Sequence, residues 1–273
     1  MKKLVVILSL VFGCILVVTS ACIKSAYTRK SMDFTFDAAY YWPEEELDIN
    51  EWKYRKYPAG FMTYLYLPEK YRNNFDSVDS KIPLVVVFHG SDEKWASLHK
   101  FGHKFILPEV QARISPEGAA VLVILSRANY FTDPAGTSLM IQNICIKNTC
   151  IDRSRILGYG FSQGAKFVVE LACHEPRLFK AVMSGSGFYQ MRVMELVKVL
   201  PVCFYFATAE NDSGIFEQGS PTGKLCARWC RNSRYVEYKE RRHFFIELHD
   251  KTGVKNEDGT DETCIDWISK VIN

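Results

Sequence analysis

Ser154-Arg155-Ile156-Leu157-Gly158-Tyr159-Gly160-Phe161-Ser162-Gln163-Gly164, running on into Ala165, is the stretch that decides the fold. Residues 154–159 read as a short strand, and residues 165–173 as a helix with one apolar face. Between them Gly160, Ser162 and Gly164 stand in G-x-S-x-G spacing. A serine at so sharp a strand-to-helix turn is pushed past the sheet edge, with its hydroxyl at a helix N-terminus. Glycines two residues to either side are required, because side chains there would collide with the neighbouring strand and helix. The pentapeptide alone is a weak signal, and its flanks make it specific.

The same alternation extends along the chain. Residues 61–67 alternate as a strand and end at Pro68. Residues 84–88 and 119–125 are continuous apolar, β-branched runs of the kind covered on both faces. Residues 155–159, 180–183, 201–207 and 235–239 complete the strands. Helical patterns fall between and after them, at 98–113, 138–148, 165–174, 191–200, 223–230 and 262–272. Strands alternating with helices predict an α/β fold, a mostly parallel central sheet with helices on both faces. The 273 residues suffice for one large domain and contain no internal repeat.

In an open parallel sheet, reactive groups collect where strands run out into loops at the carboxyl edge. Four such ends carry suggestive residues in order: His89-Gly90-Ser91, then Ser162, then Glu210-Asn211-Asp212, then His243. A serine hydroxyl is a poor nucleophile near neutrality and needs a base within hydrogen-bond reach. Histidine meets that need, and a carboxylate fixes its tautomer and stabilises the imidazolium. Asp212 is the candidate acid, with Glu210 its rival, and His243 the candidate base, with His249 its rival. The oxyanion of a tetrahedral intermediate requires fixed donors. The backbone N–H of Gln163 is one, and an N–H of the His89–Ser91 turn, that of Ser91 foremost, is the other. His89 is read as a brace for this turn. The loop at 127–137 offers Tyr130 and Phe131 as pocket walls, and Trp95 lies where it would cover the site. Cys226 and Cys230 are four apart, but no second pair with zinc spacing accompanies them, so no metal site is expected.

The N-terminus has the make-up of a targeting segment. Lys2 and Lys3 precede an apolar run over 4–18, and Thr19-Ser20-Ala21 lead to Cys22. The expected organisation is a signal peptide at 1–21, a tether or peripheral segment at 22–57 and the catalytic domain at 58–273. Ser20-Ala21-Cys22 resembles a lipoprotein cleavage box, making Cys22 a lipidation candidate and a possible membrane attachment. Export, to the periplasm, the cell surface or the medium, makes disulfides permissible, but no pairing is readable from the seven cysteines beyond Cys22. The formal charge is +3, of which Lys2 and Lys3 supply two, far short of a nucleic-acid footprint.

With these residues assembled, the chain resembles the secreted polyhydroxybutyrate depolymerase/feruloyl esterase branch of the α/β-hydrolases, a carbohydrate esterase-like group. The resemblance runs from Gly60 to the C-terminus. It rests on Tyr64-Leu65-Tyr66-Leu67-Pro68, Val86-Val87-Phe88-His89-Gly90-Ser91, Ile151-Asp152-Arg153-Ser154-Arg155-Ile156 leading into the serine turn, and Leu171-Ala172-Cys173-His174-Glu175-Pro176. It implies a Ser-Asp-His triad without a cofactor, acting on small-molecule or polymeric esters: short acyl, hydroxyalkanoate, or feruloyl and acetyl groups on polysaccharides. Two positions depart from that pattern. Thr208-Ala209 stands where the family carries His-Gly ahead of its acid, and Arg242 replaces the usual Gly before the catalytic His.

Overall fold

The two uninterrupted apolar runs become the middle of a nine-stranded sheet. In the computed structural model they are β4 (Ile82–Phe88) and β5 (Ala120–Ser126), buried at every residue. The structure describes residues 45–49, 51–57, 60–72, 80–91, 102–126, 130–239, 241–243, 246, 248–249 and 262–273. The leader, Cys22 and Trp95 lie outside them. The remaining strands are β1 (Glu45–Ile49), β2 (Trp52–Lys56), β3 (Phe61–Tyr66), β6 (Ile151–Phe161), β7 (Ala181–Gly185), β8 (Cys203–Ala209) and β9 (Arg234–Tyr238). Their order across the sheet is β1-β2-β3-β5-β4-β6-β7-β8-β9. From β5 to β9 every neighbouring pair is parallel, and β1, β2 and β3 add an antiparallel margin.

Seven α-helices are described: α1 (His103–Ile106), α2 (Pro108–Ile114), α3 (Pro134–Lys147), α4 (Gln163–His174), α5 (Val193–Val199), α6 (Ile215–Trp229) and α7 (Cys264–Ile272). Side chains alternate across the sheet, so Leu84, Val86 and Phe88 join one core with α3, α4, α5 and α6. Val85 and Val87 join a second core with α1, α2 and α7, around Trp267. The mostly parallel sheet with helices on both faces is as expected. The chain leaves β4 for β5 on one side and returns to β6 on the other. The loops that follow β4 and β6 therefore diverge and leave a crevice between them.

Several boundaries differ from the sequence reading, each for a local reason. Residues 45–56, expected within a tether or peripheral segment, contribute two strands to the sheet. Their charged side chains hide the pattern because β1 is the exposed margin. The helix expected over 98–113 is split in its described part, because Leu107, ahead of Pro108, is held extended at ψ 134°. α3 starts at Pro134, four residues early. Asp133 caps it by accepting from the Gly136 N–H at 2.9 Å, with the proline in the first turn, where no N–H is needed. α6 starts at Ile215, eight residues before the expected 223, and carries Pro221 within it.

Candidate active site

β6 ends at Phe161 and α4 begins at Gln163, leaving Ser162 alone to make the turn, at φ 54° and ψ −115°. This strained backbone is held from both sides. The Ser162 N–H donates to the Gly185 carbonyl at the end of β7 (2.9 Å), and its own carbonyl accepts from Lys166 in α4. The two flanking glycines are sterically obligatory. A Cβ on Gly160 would lie 2.2 Å from the Gly164 carbonyl oxygen, and one on Gly164 would lie 2.4 Å from that of His89. The helix N-terminus is thereby pressed against the end of β4. Gly90 is also near, since a Cβ there would meet the Phe161 ring at 3.0 Å and the Ser162 Cβ at 3.4 Å. The turn carrying Ser91 thus sits against the serine. Gln163, as the first residue of α4, has an N–H with no intrahelical acceptor.

His89 is fully buried beneath this turn. Its Nε2 accepts from the Ser126 N–H (3.0 Å), so the hydrogen is on Nδ1, which donates to the Gly90 carbonyl at 2.6 Å. That tautomer is the neutral one, since a protonated ring would aim a second N–H at the Ser126 N–H. The ring ties the Gly90–Ser91 turn to the end of β5 and packs on Phe131, 4.7 Å between centroids.

The other two groups arrive from the far side of the sheet. Past the ends of β8 and β9 the pairing continues into the loops, with Glu210 N–H to the Tyr238 carbonyl (3.0 Å) and Asn211 N–H to the Arg241 carbonyl (3.1 Å). These bonds hold Asp212 and His243 together, and the His243 Nδ1 lies 2.7 Å from the Asp212 Oδ2. A carboxylate oxygen only accepts, so Nδ1 is the donor and Nε2 is left as the basic nitrogen. Asp212 is buried and lies just ahead of α6, its carbonyl accepting from the Phe216 N–H at 2.8 Å. The His243 ring lies on Phe161, 4.9 Å between centroids, the residue immediately before Ser162. Phe161 is therefore a shared platform, a role the sequence did not signal.

Of the alternatives left open, Asp212 and His243 are the pair that meets. Glu210 and His249 are exposed. Arg242 is exposed, and the Arg241 guanidinium lies over the Tyr238 ring at 5.0 Å. Tyr130 is 55% exposed, and its carbonyl accepts from the Ser126 hydroxyl. Phe131, expected as a pocket wall, is 2% exposed and packs on Phe61, Phe88 and Phe167. Its ring is core, and its contribution to the site is its carbonyl, which accepts from the Gln163 side chain at 3.3 Å. A cavity of about 250 Å³ lined by Gln142, Arg153, Glu175 and Arg177 lies elsewhere, beside the start of β6.

No family model and no curated protein matches this chain. Solved structures do. A thermostable esterase superposes with a TM-score of 0.50 at 21% identity, covering 78% of this chain, which spans 56% of that protein's length. A ferulic acid esterase gives 0.51 at 13% identity, covering 67% of this chain and 85% of its own. FphF, a fluorophosphonate-binding serine hydrolase of Staphylococcus aureus in a substrate-bound form, gives 0.53 at 10% identity, covering 84% and 97%. With the sheet order described above, these likenesses show an α/β-hydrolase fold.

Proposed function

We propose that this chain is a serine esterase that is acylated on Ser162 by a carboxylic ester and then releases the acid by hydrolysis. The observation that carries this reading is the 2.7 Å bond from His243 to Asp212, made over the ring of the residue next to a strained, turn-borne serine. A noncatalytic scaffold has no use for that bond. In the proposed mechanism the His243 Nε2 takes the Ser162 proton as Oγ attacks the ester carbonyl. The C=O electron pair moves onto oxygen, where the N–H groups of Gln163 and Ser91 stabilise it. As the carbonyl re-forms, the imidazolium gives its proton to the departing alkoxide and an alcohol leaves. Water repeats the sequence on the acyl-enzyme, and the acid leaves with Ser162 restored.

Ester cleavage is favoured over amide cleavage because the superposing proteins include a thermostable esterase and a ferulic acid esterase. The sequence resemblance narrows the acyl group to short-chain, hydroxyalkanoate or feruloyl and acetyl esters. The leader motif supports export as part of this proposal, with Cys22 the candidate lipid attachment. Labelling by a fluorophosphonate tests the reading. Wild-type protein takes the label under native conditions and Ser162→Ala does not. Ser162→Ala and His243→Ala each lower turnover of p-nitrophenyl acetate by about 10⁴-fold or more, to similar residual rates. An unlabelled wild type, or a His243→Ala variant of near-normal rate, would sink the proposal. Acetyl, butyryl, feruloyl and hydroxybutyryl esters compared side by side then identify the acyl group.

A further inference from the structure

The outer face of α5 is apolar where a solvated helix would be polar. Val193 and Met194 are each 71% exposed and Val197 is 55% exposed, while Leu196 and Val199 on the opposite side enter the core. With Leu200 the exposed residues follow i, i+1, i+4, i+7 spacing, which is one face of a helix. Trp229, 58% exposed in the last turn of α6, lies two residues before Arg231, which bonds to the Leu200 carbonyl at the end of this face. The two helices are joined at both ends of α5. Ahead of it, the Met191 N–H donates to the Thr222 hydroxyl (3.0 Å), and behind it the Arg231 N–H donates to the Leu200 carbonyl (3.1 Å).

Cations border this patch. Lys198, Arg228 and Arg231 are exposed, and the Arg228 guanidinium lies over the Trp229 ring at 5.4 Å. The one carboxylate of α5, Glu195, is buried and held by Arg192. Exposed apolar side chains with a tryptophan and a cationic rim match the boundary of a bilayer, where the chains enter the interface and the cations meet anionic headgroups. A second copy fits less well, since a two-fold interface would set these cations against themselves. We infer that the α5 face and Trp229 form a peripheral docking surface for an anionic lipid bilayer.

The test reads Trp229 itself, so that an attached N-terminus does not decide it. Full-length wild type and Trp229→Phe are mixed with vesicles of brominated phosphatidylcholine, with or without about 30% phosphatidylglycerol. Quenching present in the wild type and lost in Trp229→Phe is expected on the anionic vesicles only. It should weaken severalfold between low and high salt, and disappear in Met194→Glu/Val197→Glu, a variant that keeps wild-type circular dichroism and ester turnover. Absence of Trp229-dependent quenching overturns the inference, as does equal quenching on uncharged vesicles. So does a concentration-dependent dimer in sedimentation that buries Trp229 and is broken by the same double substitution.

Discussion

At Ser162 the backbone itself carries the functional signal. A non-glycine residue at φ 54° costs roughly 1–3 kcal/mol, so the strain persists only because Gly185, Lys166 and the two glycines enforce it. Ser162→Gly should therefore lose all turnover yet gain about 1 kcal/mol of stability, read as a higher urea midpoint at unchanged slope. His89 was legible only as a brace. Its tautomer follows from Ser126 on one nitrogen and Gly90 on the other, contacts that no local pattern announces. His89→Leu leaves that N–H and that carbonyl unpaired. We expect kcat to fall on the order of 10-fold or more, short of losing an oxyanion donor outright, with KM little changed. His89→Gln, which keeps a donor and an acceptor, should recover part of the rate. Phe131 marks the opposite case. An aromatic residue in a loop reads equally well as wall or as core, and packing against Phe88 and Phe167 decided for the core.

Among the elements, those in the middle of the sheet were the readable ones. Burial on both faces imposes an unbroken apolar run on β4 and β5, whereas Glu45 to Asp48 of the marginal β1 are all exposed and show no period. α3 and α6 both start earlier than their sequence patterns, with Pro134 in the first turn of one and Pro221 accommodated within the other. The junction of β4, β6 and α4 is the tightest contact of the site. Gly164→Ala would drive a methyl group into the His89 and Phe88 carbonyls, backbone atoms that cannot swing aside. The expected loss is about 2 kcal/mol or more in chemical unfolding, with esterase activity falling in the protein that remains folded.

Over the whole molecule, the site is assembled at a place where strand order reverses, from four loops separated by long stretches of chain. The closing helix α7 matters to that assembly because it covers the second face of the sheet. Its N-cap, Thr263, hydrogen-bonds Asp266, and with Arg113 nearby this holds the Asp266 carboxyl below its usual range. Bonds from the Arg192 side chain likewise lower Glu195, against the opposing effect of its burial. For both groups the folded pKa is the lower one, so their stabilisation is complete above the unfolded values and is lost as pH falls through the folded ones. Stability should thus decline below about pH 4.5. Thr263→Val should cost about 1 kcal/mol at pH 7 and make that acid decline shallower, both measurable by urea unfolding across pH. Element types, the glycine-flanked serine turn and the chain order of candidate groups could be read directly from the residues. Each is governed by short-range sterics or by periodic burial, which leave their mark on neighbouring positions. Which acid meets which histidine could not be read, because Asp212 and His243 lie 31 residues apart. Their meeting depends on the register of β8 against β9 and on the bond from Asn211 to Arg241, and only the folded sheet supplies these.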